Sequence, residues 1–193
     1  PVFVDSESET WNIDPKKVES KITKKTKAII VVHLYGHPVD MDPVLAVAKK
    51  YNLFVVEDAA EAHGAEYKGR KVGSIGDIGC FSFYANKIIT TGEGGMIITN
   101  NQGWADKARS LKSLAFGDTN KFMHKYLGFN YRLSNLQAAI GVAQMKKINK
   151  IIKLKRAMAE YYLEELKSLK DIQLPVEEAY AFNVYWMFNI ILK

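Results

Sequence analysis

The sequence has 193 residues, of which 48% are hydrophobic and 25% are charged; this supports one sizeable core and excludes a disordered chain. No apolar run approaches the roughly 18 residues that a membrane-spanning helix needs, so we expect no contact with a membrane. The net charge of +6 is spread over many lysines, and their densest group, at 146–155, follows a helical pattern that favours a solvated face over a nucleic-acid site.

The start of the sequence and its single cysteine predict a piece of a cytoplasmic protein. Pro1 begins a stretch without an initiating methionine, a basic leader or a cleavage site, so we expect neither a signal peptide nor a natural start. Cys80 has no cysteine partner and lies in an apolar run. It is therefore expected to be a small buried side chain in a reducing compartment.

Strands and helices are expected to alternate through the first hundred residues. The pattern predicts a strand at 2–4, a helix at 15–22 with Asp14 as its N-cap, a strand at 28–32, a helix from 42 to 51, a strand at 53–58, a hairpin at 65–73, and strands at 80–84 and 96–99. The β-branched runs are typical of strands that are covered on both faces. A mostly parallel sheet is therefore expected.

The second half of the sequence is expected to be mainly helical. The pattern predicts a helix at 102–114, a long loop at 115–132, a helix from Ser134, a further helix at 148–169 and a final strand at 183–192. The loop is longer than usual connections, which favours a functional role. We expect residues 1–133 to be part of a large domain, 134–169 to be linking helices and 170–193 to start a small C-terminal domain.

Two residues in this order suggest cofactor chemistry. Asp58 ends a predicted buried strand, where α/β sheets place their ligands, and Lys87 lies just before a glycine-rich turn. Pyridoxal phosphate enzymes need a lysine amine for a Schiff base and a carboxylate that keeps the pyridine nitrogen protonated. Spacing alone leaves this interpretation open, because an Asp at a strand end is also typical of a cap and a single Lys of a solvated side chain.

Four collinear segments give a more specific signal. They read EDAAEAHGA at 57–65, GSIGDIGCFSF at 73–83, NK at 86–87 with TGEGG at 91–95, and GFNYRLS at 128–134. Together they resemble the DegT/DnrJ family of pyridoxal phosphate-dependent sugar-nucleotide aminotransferases, and the resemblance covers almost the whole sequence. It implies an α/β fold of type I, similar to aspartate aminotransferase, in which part of the large domain precedes Pro1.

The resemblance also implies a role for individual residues. Lys87 would form the Schiff base with the cofactor and carry protons during the reaction. Asp58 would pair with the pyridine nitrogen, Ala60 would lie against the ring, and Ser82 would bind the phosphate. Asn130 would reach the phosphate of the cofactor in the neighbouring subunit of a homodimer with shared active sites.

Glu61 departs from the commoner family pattern, in which a Gln at this position faces the phenolic oxygen of the cofactor. A carboxylate beside a phenolate is repulsive. Either Glu61 is protonated, or it shares a proton with that oxygen, or it faces elsewhere as a solvated loop residue. The sequence leaves these alternatives open, although we include Glu61 among the expected cofactor contacts.

The function implied by the resemblance is transamination of a nucleotide-linked 4-keto-6-deoxy sugar, GDP-4-keto-6-deoxymannose, with L-glutamate as the amino donor. The amino sugar would serve a surface polysaccharide such as lipopolysaccharide O-antigen. Alternatives are a 3-keto-sugar aminotransferase, a dehydratase of the same family, or a non-catalytic sugar-nucleotide-binding or regulatory protein. Lys87 argues against the dehydratase, because those enzymes carry a histidine at this position.

The remaining histidines and aromatic residues predict no further site. His33 and His37 are four residues apart, but Gly36 and Pro38 exclude a shared helix, so no metal site is expected. His33 could line the cofactor pocket, although a hydrogen-bonded structural role is favoured, and His63 and His124 are undecided between the same two roles. Tyr185 and Trp186 would point to opposite sides of the predicted last strand, where one of them could touch substrate, although core packing is the favoured role.

Overall fold

A four-stranded sheet with helices packed beside it organises the chain. The computed structural model describes residues 1–117, 122–124 and 126–193. The strands are β1 (Ala28–Val32), β2 (Phe54–Asp58), β3 (Glu66–Tyr67), β4 (Arg70–Lys71), β5 (Ile78–Ser82), β6 (Gly95–Ile98), β7 (Ile172–Gln173), β8 (Ala181–Phe182) and β9 (Ile191–Leu192). The α-helices are α1 (Pro15–Val18), α2 (Met41–Tyr51), α3 (Gln102–Lys112), α4 (Asn135–Met145) and α5 (Ile148–Leu166).

The main sheet has the strand order β1, β2, β5, β6. β2 pairs in parallel with both β1 and β5, while β6 runs antiparallel to β5. The prediction of an α/β fold with a mostly parallel sheet is therefore confirmed. Because the three parallel strands end at the same edge, residues that follow β1, β2 and β5 are brought close together.

Burial of the strands is one-sided. Ile29 and Val31 of β1 are buried, whereas Ile30 is 63% exposed and Val32 is 39% exposed. The prediction that this strand is covered on both faces is wrong, because α2 packs against β1 and β2 while the described residues leave the other face of β1 open. The β-branched run here indicates a preference for strand structure and does not show that both faces of the strand are buried.

Helix starts follow the capping signals in the sequence. The Asp14 side chain accepts a hydrogen bond from the Lys16 backbone N–H (3.0 Å), and α1 begins at Pro15 as predicted. At α4, Ser134 and Gln137 form a capping box. The predicted start of α2 at 42 is one residue late, because Asp40 stands at the N-cap position and Pro43 fits inside the first turn.

The C-terminal segment packs onto the rest of the chain. β8 extends the predicted hairpin of β3 and β4 into a three-stranded sheet. Arg156 on α5 donates hydrogen bonds to Glu177 Oε1 (2.7 Å) and to the Asn183 carbonyl (2.6 Å). Val184 and Trp186 belong to the same hydrophobic core as β1 and β2. The division into a large domain, linking helices and a small domain stays a prediction.

Two predicted strands are absent where the sequence placed them. Residues 2–4 form no strand, and Phe3 is 85% exposed, because nothing pairs with them among the described residues. Within 183–192 only β9 is a strand; residues 183–186 are buried but irregular, and Tyr185 has a φ of 47°. Part of the predicted loop at 115–132, namely 118–121 and 125, lies outside the described residues.

None of the described helices is both long and apolar enough to cross a membrane. The described residues also contain no group of three or more His, Cys, Asp or Glu side chains placed to hold a metal ion.

Candidate active site

The carboxyl edge of the main sheet carries the first two predicted site residues. Asp58 is the last residue of β2, with Val32 and Cys80 as its neighbours on the adjacent strands. Ser82 ends β5 two residues beyond Cys80, so Asp58 and Ser82 lie at the same edge. The Asp58 carboxylate accepts a hydrogen bond from the Ala60 N–H (3.0 Å), which fixes the start of the loop after β2.

Lys87 lies in a turn that follows β5. Its backbone N–H donates to the Tyr84 carbonyl (3.0 Å), and the Tyr84 N–H donates to Ser82 Oγ (3.2 Å). The next two residues, Ile88 and Ile89, are buried and anchor the turn in the core. As a result the Lys87 side chain is only 12% exposed, in contrast to the solvated lysine that spacing alone left open.

The Lys87 amine contacts a carboxylate and an aromatic ring. Its Nζ lies 3.7 Å from Glu61 Oε1 and 3.9 Å from the centroid of the Trp186 ring. The other Glu61 oxygen accepts a hydrogen bond from the Tyr35 N–H (2.8 Å). Glu61 thus faces into the site with a side chain that is 20% exposed, and it does not behave as a solvated loop carboxylate.

A buried pair of side chains, His33 and Glu57, lies beside this edge of the sheet. Glu57 and His33 are fully buried, and their side chains are 3.0 Å apart. His33 Nδ1 accepts from the Val39 N–H (3.0 Å), so Nε2 donates to Glu57. Burial alone would raise the pKa of Glu57, but hydrogen bonds from His33, Gly76 and Gly73 lower it below its ordinary value. The prediction that His33 is structural is confirmed by this contact.

His63 is the second buried histidine near the site. It is 4% exposed, packs against Phe81 and Phe83, and has no hydrogen-bond partner on either ring nitrogen. Burial and the charge of Lys87 lower the pKa of His63 to about 4. The nearby Ser82 backbone offsets part of this shift, although it is not placed to form a hydrogen bond with the His63 ring. The neutral imidazole is therefore the form of His63 at neutral pH.

Cys80, beside Asp58 in the sheet, is half-buried. Burial and the charge of Asp58 raise the pKa of its thiol, so the thiol is not activated as a nucleophile. This supports the interpretation of Cys80 as a packing residue.

Asn130 forms its hydrogen bonds outside the group of predicted site residues. It is exposed, forms a backbone bridge with Ser113, and accepts a hydrogen bond from Arg132 Nε (2.9 Å). Among the described residues, no hydrogen bond joins Asn130 to Lys87, Glu61 or Asp58. A role for Asn130 within its own subunit's site is not supported by a contact, and its predicted role across a dimer stays a prediction.

The side chains at this edge fit pyridoxal phosphate chemically. Lys87 supplies a sequestered amine, Asp58 a carboxylate for a protonated ring nitrogen, and Ser82 a hydroxyl for a phosphate oxygen. Ala60 follows Asp58 in the loop and is small enough to leave space for a planar ring. The arrangement can attach an aldehyde covalently and hold a charged ring beside it.

Comparison with known proteins agrees with this chemistry. The profile of the DegT/DnrJ/EryC1/StrS aminotransferase family matches residues 1–193. The chain belongs to this family. Aminotransferases of the DegT/DnrJ/EryC1/StrS family use pyridoxal 5'-phosphate, and their α/β fold is the one predicted from the sequence.

Individual relatives narrow the comparison within the DegT/DnrJ/EryC1/StrS family. Proteins named GDP-perosamine synthase from Escherichia coli O157:H7 and Caulobacter vibrioides are 46% and 45% identical over the whole chain. A solved structure of DesV from S. venezuelae, in complex with a ketimine intermediate, is 36% identical with a TM-score of 0.93 and covers the whole chain. The chain spans about half of each, 52% of their length.

The family also contains proteins with other names. A relative from Aneurinibacillus thermoaerophilus, 43% identical over the whole chain and matched over 53% of its own length, is named dTDP-3-amino-3,6-dideoxy-alpha-D-galactopyranose transaminase. A solved E. coli GDP-4-keto-6-deoxy-D-mannose-3-dehydratase with bound hydrated PLP is 27% identical with a TM-score of 0.91, over 99% of this chain and 53% of that one.

Sequence reasoning missed two residues of the site. Tyr35 supplies the backbone N–H that holds Glu61, and a backbone contact of this kind leaves no signal in side-chain identity. Trp186 was expected to pack in the core, with a substrate contact of either Trp186 or Tyr185 as the alternative, and its contact with Lys87 was missed. Both residues are buried, because the segment is not a strand, and the alternation prediction is wrong.

Proposed function

We propose that the protein that contains this chain is a pyridoxal phosphate-dependent aminotransferase. It converts a nucleotide-linked 4-keto-6-deoxy sugar, GDP-4-keto-6-deoxymannose, to the 4-amino sugar with L-glutamate as donor. The observation that carries this proposal is the nearly buried amine of Lys87, held by Glu61 at the sheet edge where Asp58 and Ser82 end their strands. A lysine in that position, in a member of an aminotransferase family, supports amine transfer.

Each residue of the site has a defined task in this proposal. Pyridoxal phosphate, when bound, supplies an electron sink for the carbon whose amine is exchanged. The Asp58 carboxylate keeps a proton on the pyridine nitrogen. Ser82 donates its hydroxyl hydrogen to the phosphate, and Ala60 leaves room for the ring. Lys87 Nζ holds the cofactor aldehyde and carries protons to and from the reacting carbon.

Glu61 adds a negative charge where the commoner family pattern has an amide. With Oε2 fixed by the Tyr35 N–H, Oε1 faces the Lys87 ammonium. The Lys87 amine therefore lies 3.7 Å from a carboxylate oxygen whose position is fixed by the backbone. In this proposal Glu61 orients the amine as well as lying near the cofactor ring.

The relatives that are 46% and 45% identical support the choice of a GDP-linked 4-keto sugar, because both are named GDP-perosamine synthase. A 3-keto-sugar aminotransferase is the second candidate, since the relative named as a 3-amino-sugar transaminase is nearly as similar, at 43%. Lys87 disfavours the dehydratase. The product would enter the synthesis of a surface polysaccharide such as lipopolysaccharide O-antigen.

We place this enzyme in the cytoplasm as a homodimer with shared active sites. The single unpaired Cys80, whose burial raises its pKa, suits a reducing compartment. The exposed Asn130, which has no hydrogen bond to Lys87, Glu61 or Asp58 among the described residues, suits a contact with the partner's cofactor. Neither point requires a membrane or nucleic acid.

A lysine exchange tests the catalytic assignment. In the full-length protein, Lys87→Ala should abolish borohydride-trapped cofactor at this position and reduce glutamate-dependent amination to background. Lys68→Ala is the matched control, because the Lys68 side chain is exposed and forms its ion pair with the exposed Asp42. Mass spectrometry of the reduced protein and product analysis measure both effects. Cofactor trapped at another lysine in the Lys87→Ala variant would overturn the assignment.

A substrate panel tests the second part of the proposal. We expect turnover of GDP-4-keto-6-deoxymannose to exceed that of 3-keto sugar nucleotides when glutamate is supplied. Preference for a 3-keto sugar would establish the second candidate instead. If the cofactor is bound but glutamate leaves its absorbance unchanged, the protein is a non-catalytic binding or regulatory member of the family.

A further inference from the structure

Trp186 contacts the site through both its ring face and its ring nitrogen. The centroid of the ring lies 3.9 Å from Lys87 Nζ, and Nε1 donates a hydrogen bond to the carbonyl of Asn86 (2.8 Å). The residue is 8% exposed. One side chain thus contacts the amine and also fixes the backbone immediately before Lys87.

The backbone at Gly36 allows Trp186 to come this close. Gly36 has a φ of +98°, and a Cβ there would lie 2.8 Å from Val184 Cγ2 and 3.0 Å from the Trp186 backbone nitrogen. The Val184 N–H donates to the Gly36 carbonyl (3.2 Å). A side chain at position 36 would therefore push the segment that carries Trp186 away from the sheet edge.

Tyr35 connects Trp186 to Glu61 and closes a ring of contacts around the amine. The Tyr35 ring is stacked on Trp186, with centroids 6.4 Å apart and an interplanar angle of 18°. Its N–H holds Glu61 at 2.8 Å, and its backbone has a φ of 55°, which a bulky residue rarely adopts. The strained backbone at Tyr35 is typical of a functional site.

We propose that Trp186 is a positioning residue for Lys87. The ring face holds the ammonium beside Glu61, and the Nε1–H fixes the Asn86 carbonyl, so the amine is oriented before the cofactor arrives. The attraction between a cation and an indole ring is stronger when the cation is largely buried than when it is exposed. The role rests on the proposed function of Lys87, but it is a property of the protein without cofactor and can be measured there.

Simple core packing is the competing explanation for Trp186. Loss of a packing residue lowers stability in general, whereas loss of a positioning residue changes the reactivity of one specific amine. The two are separated by competitive acylation of lysines in the cofactor-free, full-length protein with trace acetic anhydride. The rate at Lys87 is compared with the rate at the exposed Lys24 by mass spectrometry of the same digest.

The variants are Trp186→Leu, Trp186→Phe and, as the matched control, Trp104→Leu. Trp104 lies on α3, where it contacts Phe54 edge-on and is remote in sequence from the Lys87 turn. We expect Trp186→Leu to raise the rate at Lys87 by roughly tenfold, because the covering ring is lost. Trp186→Phe keeps an aromatic face and should remain within about threefold of the wild type. Trp104→Leu should leave the rate unchanged.

Three results would overturn the proposal. One is an unchanged Lys87 rate in Trp186→Leu, and another is an equal increase in Trp104→Leu. The third applies if Trp186→Leu does not fold. The acylation rates are then compared in the wild type and in Trp186→Phe, and equal rates at Lys87 and Lys24 in both proteins would overturn the proposal. None of these readouts involves a sugar nucleotide, so a wrong substrate assignment leaves the test intact.

Discussion

His63 shows how one residue can set the pH range of stability. Its pKa is lowered from 6.5 to about 4, first by burial and then by the charge of Lys87. Between these two values the unfolded chain binds a proton that the folded chain does not bind, so stability should fall as the pH decreases from about 6.5 to 4. The expected slope approaches about 1.4 kcal/mol per pH unit. Urea denaturation of the full-length protein across this range measures it.

Two variants separate the effect of His63 titration on stability from the effect of the packing around it. His63→Leu should reduce the slope without abolishing it, because burial also lowers the pKa of His37. Phe81→Leu should keep the slope while lowering stability at every pH, since it removes packing around His63 but no titrating group. Glu57 does not contribute above about pH 4.5, because its pKa is lowered from that value and its stabilisation is lost only at more acidic pH. An unchanged slope in His63→Leu would contradict this account.

The candidate site was predictable from sequence where chemistry requires a specific side chain. Lys87 and Asp58 were predictable because both lie in the segments that resemble the DegT/DnrJ family, whereas their spacing alone left the interpretation open. Tyr35 was not visible, because its contribution is a backbone N–H. Trp186 was not visible either, since an aromatic residue in an apolar run is normally core, and only the fold brings it to Lys87.

At the scale of elements, the Glu57 carboxylate joins three parts of the sheet edge. It accepts hydrogen bonds from the Gly73, Ile75 and Gly76 backbone (2.7, 2.6 and 2.5 Å) and from His33 at the end of β1. Glu57→Gln would turn an NH2 group toward backbone donors and leave a buried group unsatisfied. We expect it to lower the free energy of unfolding by about 3 kcal/mol. Equilibrium urea denaturation of the cofactor-free protein measures the change.

The matched control for this change is Glu66→Gln. Glu66 pairs with Lys71 in the exposed hairpin, where the two side chains are 31% and 59% exposed. Removal of that surface pair should change the free energy of unfolding by less than about 1 kcal/mol. Equal effects of the two substitutions would show that the Glu57 network does not support the sheet edge.

Helix starts and strand ends were predictable to different degrees for physical reasons. Capping is local, so Asp14 and Ser134 identify the starts of α1 and α4 correctly. Strands need a partner, which a local pattern cannot show. Residues 2–4 lack one among the described residues, and residues 183–186 are buried without forming a strand, with the Val184 side chain beside Gly36.

At the scale of the whole molecule, the surface around Asn130 is suited to contact with a second subunit. Phe129 and Tyr131 flank it and stack on each other, with centroids 5.1 Å apart, although they are 42% and 74% exposed. This exposed apolar pair supports the proposed contact between subunits. Asn130→Ala should weaken retention of the cofactor by roughly tenfold or more, because a hydrogen bond to a charged phosphate is lost. Equilibrium dialysis of the full-length protein measures it.

Mixed dimers decide which subunit Asn130 serves. If it reaches the partner's cofactor, a dimer of one Lys87→Ala subunit and one Asn130→Ala subunit contains one intact site and one site that lacks both residues. Random 1:1 mixing makes half of the dimers mixed, so about one quarter of the wild-type activity should return when the cofactor is kept too dilute to load the Asn130→Ala sites. If Asn130 served its own subunit, every site would lack one residue and mixing would restore nothing. Mixed dimers can also be isolated by giving each subunit a different affinity tag and purifying on both tags. These dimers should have half of the wild-type activity, which makes this the stricter measurement.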